Sequence, residues 1–476
     1  MSDTSSSPVR PKPPARQSVP LQPYLIDAAA KNSAAQPAAT LVDRFRNLHE
    51  GPQVFHEVLR LGDEAVPALE GLLRGPSDAV HQPRCLAADA LAAIGSATAV
   101  SALTRALLDS VARDPSPQLL QAESILVNHI AEHLSRFPRP EVTEALLSAL
   151  RRRGYPYCAA ALGLTGDPRA IALLVECLYE DAARPAAAAA LRRFGQAALE
   201  PLVRVLEPPS AGTAESPSRL DGRVAAARLL GDFARANSRD APFAVAALME
   251  ALKDSQCAVR IEAALGLVRC GARADGDTAR ILVAALEEEN WARAEEIMRV
   301  LVSIGPAAER LLTPLIGLRP RDEADHRRRV RAVEALGRLG SVSAVGMLRS
   351  FHSSGDTPLR FAAVKALASV GTSDASSLAL FLADPHPTIR LRALQALVGR
   401  RALDPAFAIR LLGDADSHVS GLAAEALRED IAVALPSLKW AASHCGAPVE
   451  GLAPRLRLWW HACALIAQAG RESRCR

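Results

Sequence analysis

The sequence predicts an all-α chain, a right-handed solenoid of about thirteen helical hairpins behind a disordered N-terminal tail. Three observations predict it. Aromatic residues make up only 4% of the 476, with Ala, Leu and Val dominant, which is poor material for sandwich or barrel cores and good material for helices. Apolar residues recur with a helical period. That pattern then returns about every 34 residues, along a chain too long for one compact core.

Residues 1–40 are rich in Ser, Pro and Gln and show no sustained period, so they read as a disordered tail. RPKPPAR (10–16) has the composition of a polyproline II ligand but reads as a solvated basic linker.

The repeat is plainest in RIEAALGLVRCG (260–271), RFAAVKALASVG (360–371), RCLAADALAAIG (84–95) and RPAAAAALRRFG (184–195). With the first Arg numbered zero, apolar or small residues fall at +3, +4, +6, +7 and +10, and Gly at +11. These positions form one stripe of a helix that ends on a glycine cap. Zero positions fall near 51, 84, 126, 155, 184, 223, 260, 294, 329, 360, 390, 420 and 459. Between them lies a second helical pattern, as in GDPRAIALLVECL (166–178) and APFAVAALMEAL (241–252). Each unit is therefore a hairpin that buries its apolar face only by stacking on its neighbours.

The chain divides on this reading into the tail, N-terminal repeats over 41–206, a polar loop at 207–222 (EPPSAGTAESPSRLDG), and C-terminal repeats with a cap over 223–476. RPRDEADHRRRVR (319–331) reads as a second, charged loop, and Trp459-Trp460 as packing under the last repeat.

The pattern resembles HEAT repeats, specifically the short bacterial type also found in phycobilin lyase subunits, over roughly residues 45–470. Its signature appears as Val259-Arg260, Ile389-Arg390 and Arg329-Val330, with Asp78, Asp254, Asp384 and Asp414 six residues before a zero position. The resemblance implies that such Asp and Arg side chains link neighbouring hairpins.

Two motifs raise the question of a metal. One family of helical-repeat hydroxylases holds two irons with His-Glu pairs just after the zero position. Here His49-Glu50 and His56-Glu57 stand elsewhere: the second pair is at +5/+6, away from the stripe Val54, Phe55, Val58 and Leu59, and Gly51-Pro52 separates the two. HIAEH (129–133) has the H-x-x-E-H spacing that puts two zinc ligands on one helical face, but the same residues flank the apolar stripe Leu126, Ile130, Leu134 and Phe137. With no phosphate-binding loop or nucleophile elbow present, we expect neither an enzyme nor a cofactor or metal.

Charge is nearly balanced, 56 basic against 52 acidic residues for a net of +4, which gives no global signal for nucleic acid or membrane. Eight scattered Cys without CxxC spacing read as reduced thiols of a cytoplasmic protein. If the second helices line the concave face, their +2, +5 and +9 positions meet solvent there. Tyr157, Ala160 and Leu164 then form an apolar trough, and Arg228, Arg269, Arg299, Arg331, Arg338, Lys365 and Arg392 a mildly basic stripe interspersed with Asp232, Glu262, Glu296 and Glu334. The expected function is a protein-protein scaffold that binds an acidic or amphipathic segment of another protein. The alternatives are a HEAT-type enzyme or lyase-like subunit and a nucleic-acid-binding solenoid.

Overall fold

The computed structural model describes residues 38–47, 49–76, 80–113, 115–209, 214–236, 241–272, 276–371, 375–429, 431–444 and 461–469. Among them the regular structure is helical, with no strand. Contacts divide the chain into a smaller unit, residues 1–106 with 115–126, and a larger one, residues 107–114 with 127–476. Neither border falls at the 207–222 segment.

In the smaller unit the helices Ala38–Asp43, Gly51–Leu61, Val66–Leu73 and Gln82–Ile94 close on Phe45, Val54, Val58, Leu69, Leu73 and Leu91, all buried. Arg84, itself buried, donates to the Leu73 carbonyl (2.9 Å) and to Glu123.

The larger unit is a stack of hairpins. Its second helices are α1 (Pro156–Thr165), α2 (Arg184–Phe194), α3 (Pro217–Ala236), α4 (Cys257–Arg269), α5 (Trp291–Ile304), α6 (Glu323–Leu339), α7 (Thr357–Ser369), α8 (Pro387–Gly399) and α9 (Ser417–Glu429). Each sits where the repeat frame puts it. Shorter first helices, such as Leu199–Leu206 and Pro306–Gly317, cover the other side, and Leu265, Leu286, Ile297, Leu301, Leu312, Leu336 and Leu367 fill the space between the two layers. Each such leucine or isoleucine, fully buried, is worth about 1.5–3 kcal/mol.

The +11 glycine is confirmed by its backbone. Gly62, Gly95, Gly166, Gly195, Gly271, Gly305 and Gly340 have φ between 55° and 77°, and every one stands at +11 of its repeat. Arg401, also at +11, is the one non-glycine with positive φ (52°) among the described residues. A side chain there strains the backbone by roughly 1–2 kcal/mol.

The structure corrects the two polar segments. Helix α3 starts at Pro217, inside the stretch read as a loop, because proline suits the first helical turn. Helix α6 starts at Glu323, capped by Asp322, whose side chain accepts the Asp325 N–H (2.7 Å). Its first two turns carry few apolar residues and are tied down by ion pairs, Arg327 to Glu289 (3.3 Å) and Arg328 to Asp325 (2.8 Å) and Glu287. Helicity also begins at Ala38, within the segment read as tail. Residues 1–37, Asp78 and Trp459-Trp460 lie outside the described residues.

Candidate partner-binding surface

Two sets of arginines must be separated before the surface can be read. The zero-position arginines point into the stack. Arg360 donates to the Ser354 carbonyl (2.9 Å) and to both carboxylate oxygens of Asp384 (2.7 and 3.1 Å). Arg390 repeats this one hairpin on, to the Asp384 carbonyl (2.7 Å) and to Asp414 (2.7 and 2.6 Å). Arg223, fully buried, binds the Leu206 carbonyl (2.8 Å), Glu215 and Asp254. These are links between neighbouring hairpins, as the resemblance implied.

The second set lies on the face lined by α1–α9, and here the expectation of a free basic stripe needs correction. Glu262, expected at the surface, is fully buried under arginines from three successive helices: Arg228 (2.6 Å), Arg269 (3.8 Å) and Arg293 (2.6 Å). Burial pushes its carboxyl up, but Arg228 and Arg293 outweigh that and hold it below the usual carboxylate range. Arg269 also reaches Glu296 (3.0 Å), and Arg338 grips Glu295 with two nitrogens (2.6 and 2.9 Å). Arg331 donates to the Leu286 carbonyl (2.8 Å) and to that of Glu288. Of the six arginines expected in the stripe, only Arg299 is exposed and without an ion pair or hydrogen bond among the described residues; Arg392 is exposed too but donates to Gln395 (3.3 Å). A +5 or +9 guanidinium reaches the +1 or +2 carboxylate of the next or preceding helix, so the charges lock helices together instead of projecting a field.

The apolar trough stands where it was expected. Tyr157 is 47% exposed and Leu164 51%, and Ala160 is exposed between them on one face of α1, at i, i+3 and i+7. The Asn128 side chain accepts the Tyr157 N–H (3.2 Å) and fixes the start of that helix. Ala189 and Arg193 continue the exposed face on α2.

Beside it opens a cleft that the frame did not announce. Between α2 and α3 a space of about 420 Å³ is floored by Pro185, Ala188, Val224 and Leu229 and edged by Arg192 and Arg228. Its cause is legible afterwards at two positions. Elsewhere the +8 residue of one second helix meets the +6 residue of the next: Gly163 meets Ala190, Gly231 meets Gly266 and Gly337 meets Ala366. A Cβ on those +8 glycines would lie 2.6, 2.6 and 2.3 Å from the neighbour. At α2–α3 the pair is Arg192 and Leu229, and the helices stand apart.

The metal motifs fare differently. His56 and Glu57 are exposed on the outside of their helix, and Glu50 is engaged by Arg44 (2.8 Å) and Asn47 (2.8 Å). The His129 and His133 rings pack edge to face with centroids 4.7 Å apart, His133 buried and Glu132 exposed.

Family models match in three places: HEAT repeats over 312–398, and the PBS lyase HEAT-like repeat over 83–109 and 157–180. The chain carries HEAT repeats. Solved structures agree on the architecture of such repeats. The crystal structure of a Kap121p mutant matches at 11% identity with a TM-score of 0.52, covering 91% of this chain and 53% of that one. The Kap95:Nup1 complex matches at 12% with a TM-score of 0.56, covering 90% and 67%. The HEAT chain thus spans about half the length of Kap121p, and at these identities the likeness is one of fold. No curated protein matches its sequence. Among the described residues no helix of the HEAT array is long and apolar enough to cross a membrane.

Proposed function

We propose that this protein is a non-enzymatic scaffold that holds a segment of another protein against the second-helix face of its larger unit. The observation that carries this reading is the exposed apolar stripe of Tyr157, Ala160 and Leu164, next to the α2–α3 cleft, on a face otherwise closed by paired charges. An aromatic and a leucine held by a rigid helix suit the apolar side of an amphipathic segment. Paired arginines leave little free positive charge for a duplex, whose phosphates need a dense field, so nucleic acid fits less well. Arg299 and Arg193 remain to steer acidic residues flanking the bound segment. The likeness in fold to a chain solved in the Kap95:Nup1 complex is in keeping with a binding role. We place the scaffold in the cytoplasm, with reduced thiols. Burial pushes Cys177 up to about 12 and Cys85 to about 11, so both stay protonated and inert.

The test is to capture a partner from native cells with the full chain and measure its binding rates. Tyr157→Ala and Leu164→Asp should speed dissociation tenfold or more, because buried anchors set residence time. Arg299→Glu should mainly slow association and flatten its salt dependence. Unchanged rates in all three variants would remove the proposal.

A further inference from the structure

Two zero-position arginines lack the carboxylate, Arg260 and Arg329, and the second of them faces a cleft rich in arginine. In the links described above, the zero-position Arg meets an Asp six residues before the next zero position. Asp384 and Asp414 also share a local geometry. The N–H of each binds the carbonyl three residues back, Phe381 (3.2 Å) and Leu411 (3.0 Å), and the carboxylate of each accepts the N–H two residues on, His386 (2.8 Å) and Asp416 (2.9 Å). Ser354 has the same geometry: its N–H binds the Phe351 carbonyl (2.9 Å) and its Oγ accepts the Asp356 N–H (3.2 Å). It holds the Asp place but brings no carboxylate to Arg329.

Arg329 is left with half of its usual partners. Its Nε donates to the Ile316 carbonyl (2.9 Å) and its guanidinium lies over the Phe351 ring, 5.2 Å from the centroid. Its two terminal nitrogens make no hydrogen bond among the described residues. Asp356, the nearest candidate, accepts the Leu359 N–H (3.1 Å) and pairs with His326 (3.2 Å). Burial makes the Arg329 charge harder to keep, and the Asp356 carboxylate offsets only part of that penalty, which a further anion would relieve.

The cleft beside it, about 410 Å³, is lined by Arg319, Arg321, Arg328 and Arg329 with one carboxylate, Asp325. Asp325 is shared by Arg321 (3.0 Å) and Arg328 (2.8 Å), and Glu287 takes a further nitrogen of Arg328. Arg319 is exposed and makes no contact of this kind among the described residues. Four guanidiniums against the two carboxylates that engage them, Asp325 and Glu287, leave a positive excess, and planar two-pronged donors match the oxygens of a phosphoryl group.

We infer that this cleft binds a phosphoryl group, carried as a monoester or as the free ion, whose oxygens occupy the place that an Asp carboxylate takes in the neighbouring links. The inference is independent of the scaffold reading, since it concerns a different edge of the larger unit.

The test uses the purified full chain, titrated with inorganic phosphate, with a short phosphoserine peptide and with its unphosphorylated form, at constant ionic strength. Phosphate should raise the melting temperature, and chloride at the same ionic strength should not. Ser354→Asp restores the missing carboxylate without removing an arginine; it should raise the intrinsic melting temperature and weaken phosphate binding at least tenfold. Arg319→Ala, at an exposed position where folding is not at stake, should weaken binding severalfold. Tighter binding of the phosphopeptide than of free phosphate assigns the group to a partner protein, and equal binding assigns it to the free ion; either supports the site. Equal stabilisation by chloride and phosphate, or unchanged affinity in Ser354→Asp, would overturn it.

Discussion

The α2–α3 and α3–α4 junctions belong to the same stack and share a helix, yet one is open and the other sealed. At α3–α4, Gly231 meets Gly266 backbone to backbone, and Glu262 collects Arg228, Arg269 and Arg293 around the contact. At α2–α3, Arg192 and Leu229 stand at the equivalent positions, two ion pairs, Arg192 with Asp232 (2.9 Å) and Arg184 with Asp221 (3.5 Å), bridge the helices, and a cleft remains. At these two junctions the size of the +8 and +6 side chains, not the apolar stripe, decides whether the face seals or opens. Both junctions keep the same core pattern.

The largest effect should come from breaking the sealed junction at its centre. Glu262→Ala leaves three arginines facing one another without their buried partner and should cost about 3–5 kcal/mol in chemical denaturation. Asp232→Ala at the open junction, where both partners reach water, should cost under about 1 kcal/mol. Equal losses would mean that the two junctions do not differ as described. Next in size, Gly231→Ala places a methyl 2.6 Å from the Gly266 Cα and should cost about 1–3 kcal/mol by overpacking, measurable as a shift in denaturation midpoint. Arg192→Ala at the matching position, with open space beside it, should stay near neutral.

The smallest effect is one of pH. The carboxyls of Glu262 and Glu295 sit below their usual range in the folded chain, Glu262 because Arg228 and Arg293 outweigh its burial and Glu295 because Arg338 binds it. Groups so depressed add stability that is complete above the unfolded value near pH 4.3 and is lost as pH falls through the folded value. Melting temperature should therefore drop on acidification below about pH 4.3, and drop less in Glu262→Ala.

How much of this was legible follows from which features are local. The glycine cap at +11 is a property of one helix end, and seven positive φ values fall where the frame put them. The exposure of Tyr157, Ala160 and Leu164 followed from the same frame, since uncharged residues off the apolar stripe draw no arginine over them, as Glu262 does at the same +2 position as Tyr157. Pairings between repeats were not legible. Arg338 reaches Glu295 in the preceding repeat while Arg228 reaches Glu262 in the following one, and sequence spacing alone sets neither direction. The start of α6 was hidden for another reason: its first two turns, EADHRRR, are held by ion pairs and lack the apolar period that marks a helix. The α2–α3 cleft had a signal that went unread, an Arg at +8 where three other repeats carry Gly.

The close approach of Gly231 to Gly266 also bears on how such a chain can be lengthened or shortened. Neighbouring repeats fit as lock and key, because the donor surface at +8 and the acceptor surface at +6 are written in different segments of sequence. A cassette can be inherited or transplanted only with a matching neighbour on each side. Excising residues 260–293 would bring Val300, the +6 residue of α5, over the bare Cα of Gly231, where a Cβ on the present neighbour Gly266 would already lie 3.2 Å away. The order of hairpins along this chain is thus constrained by shape at the three glycine seams, α1–α2, α3–α4 and α6–α7.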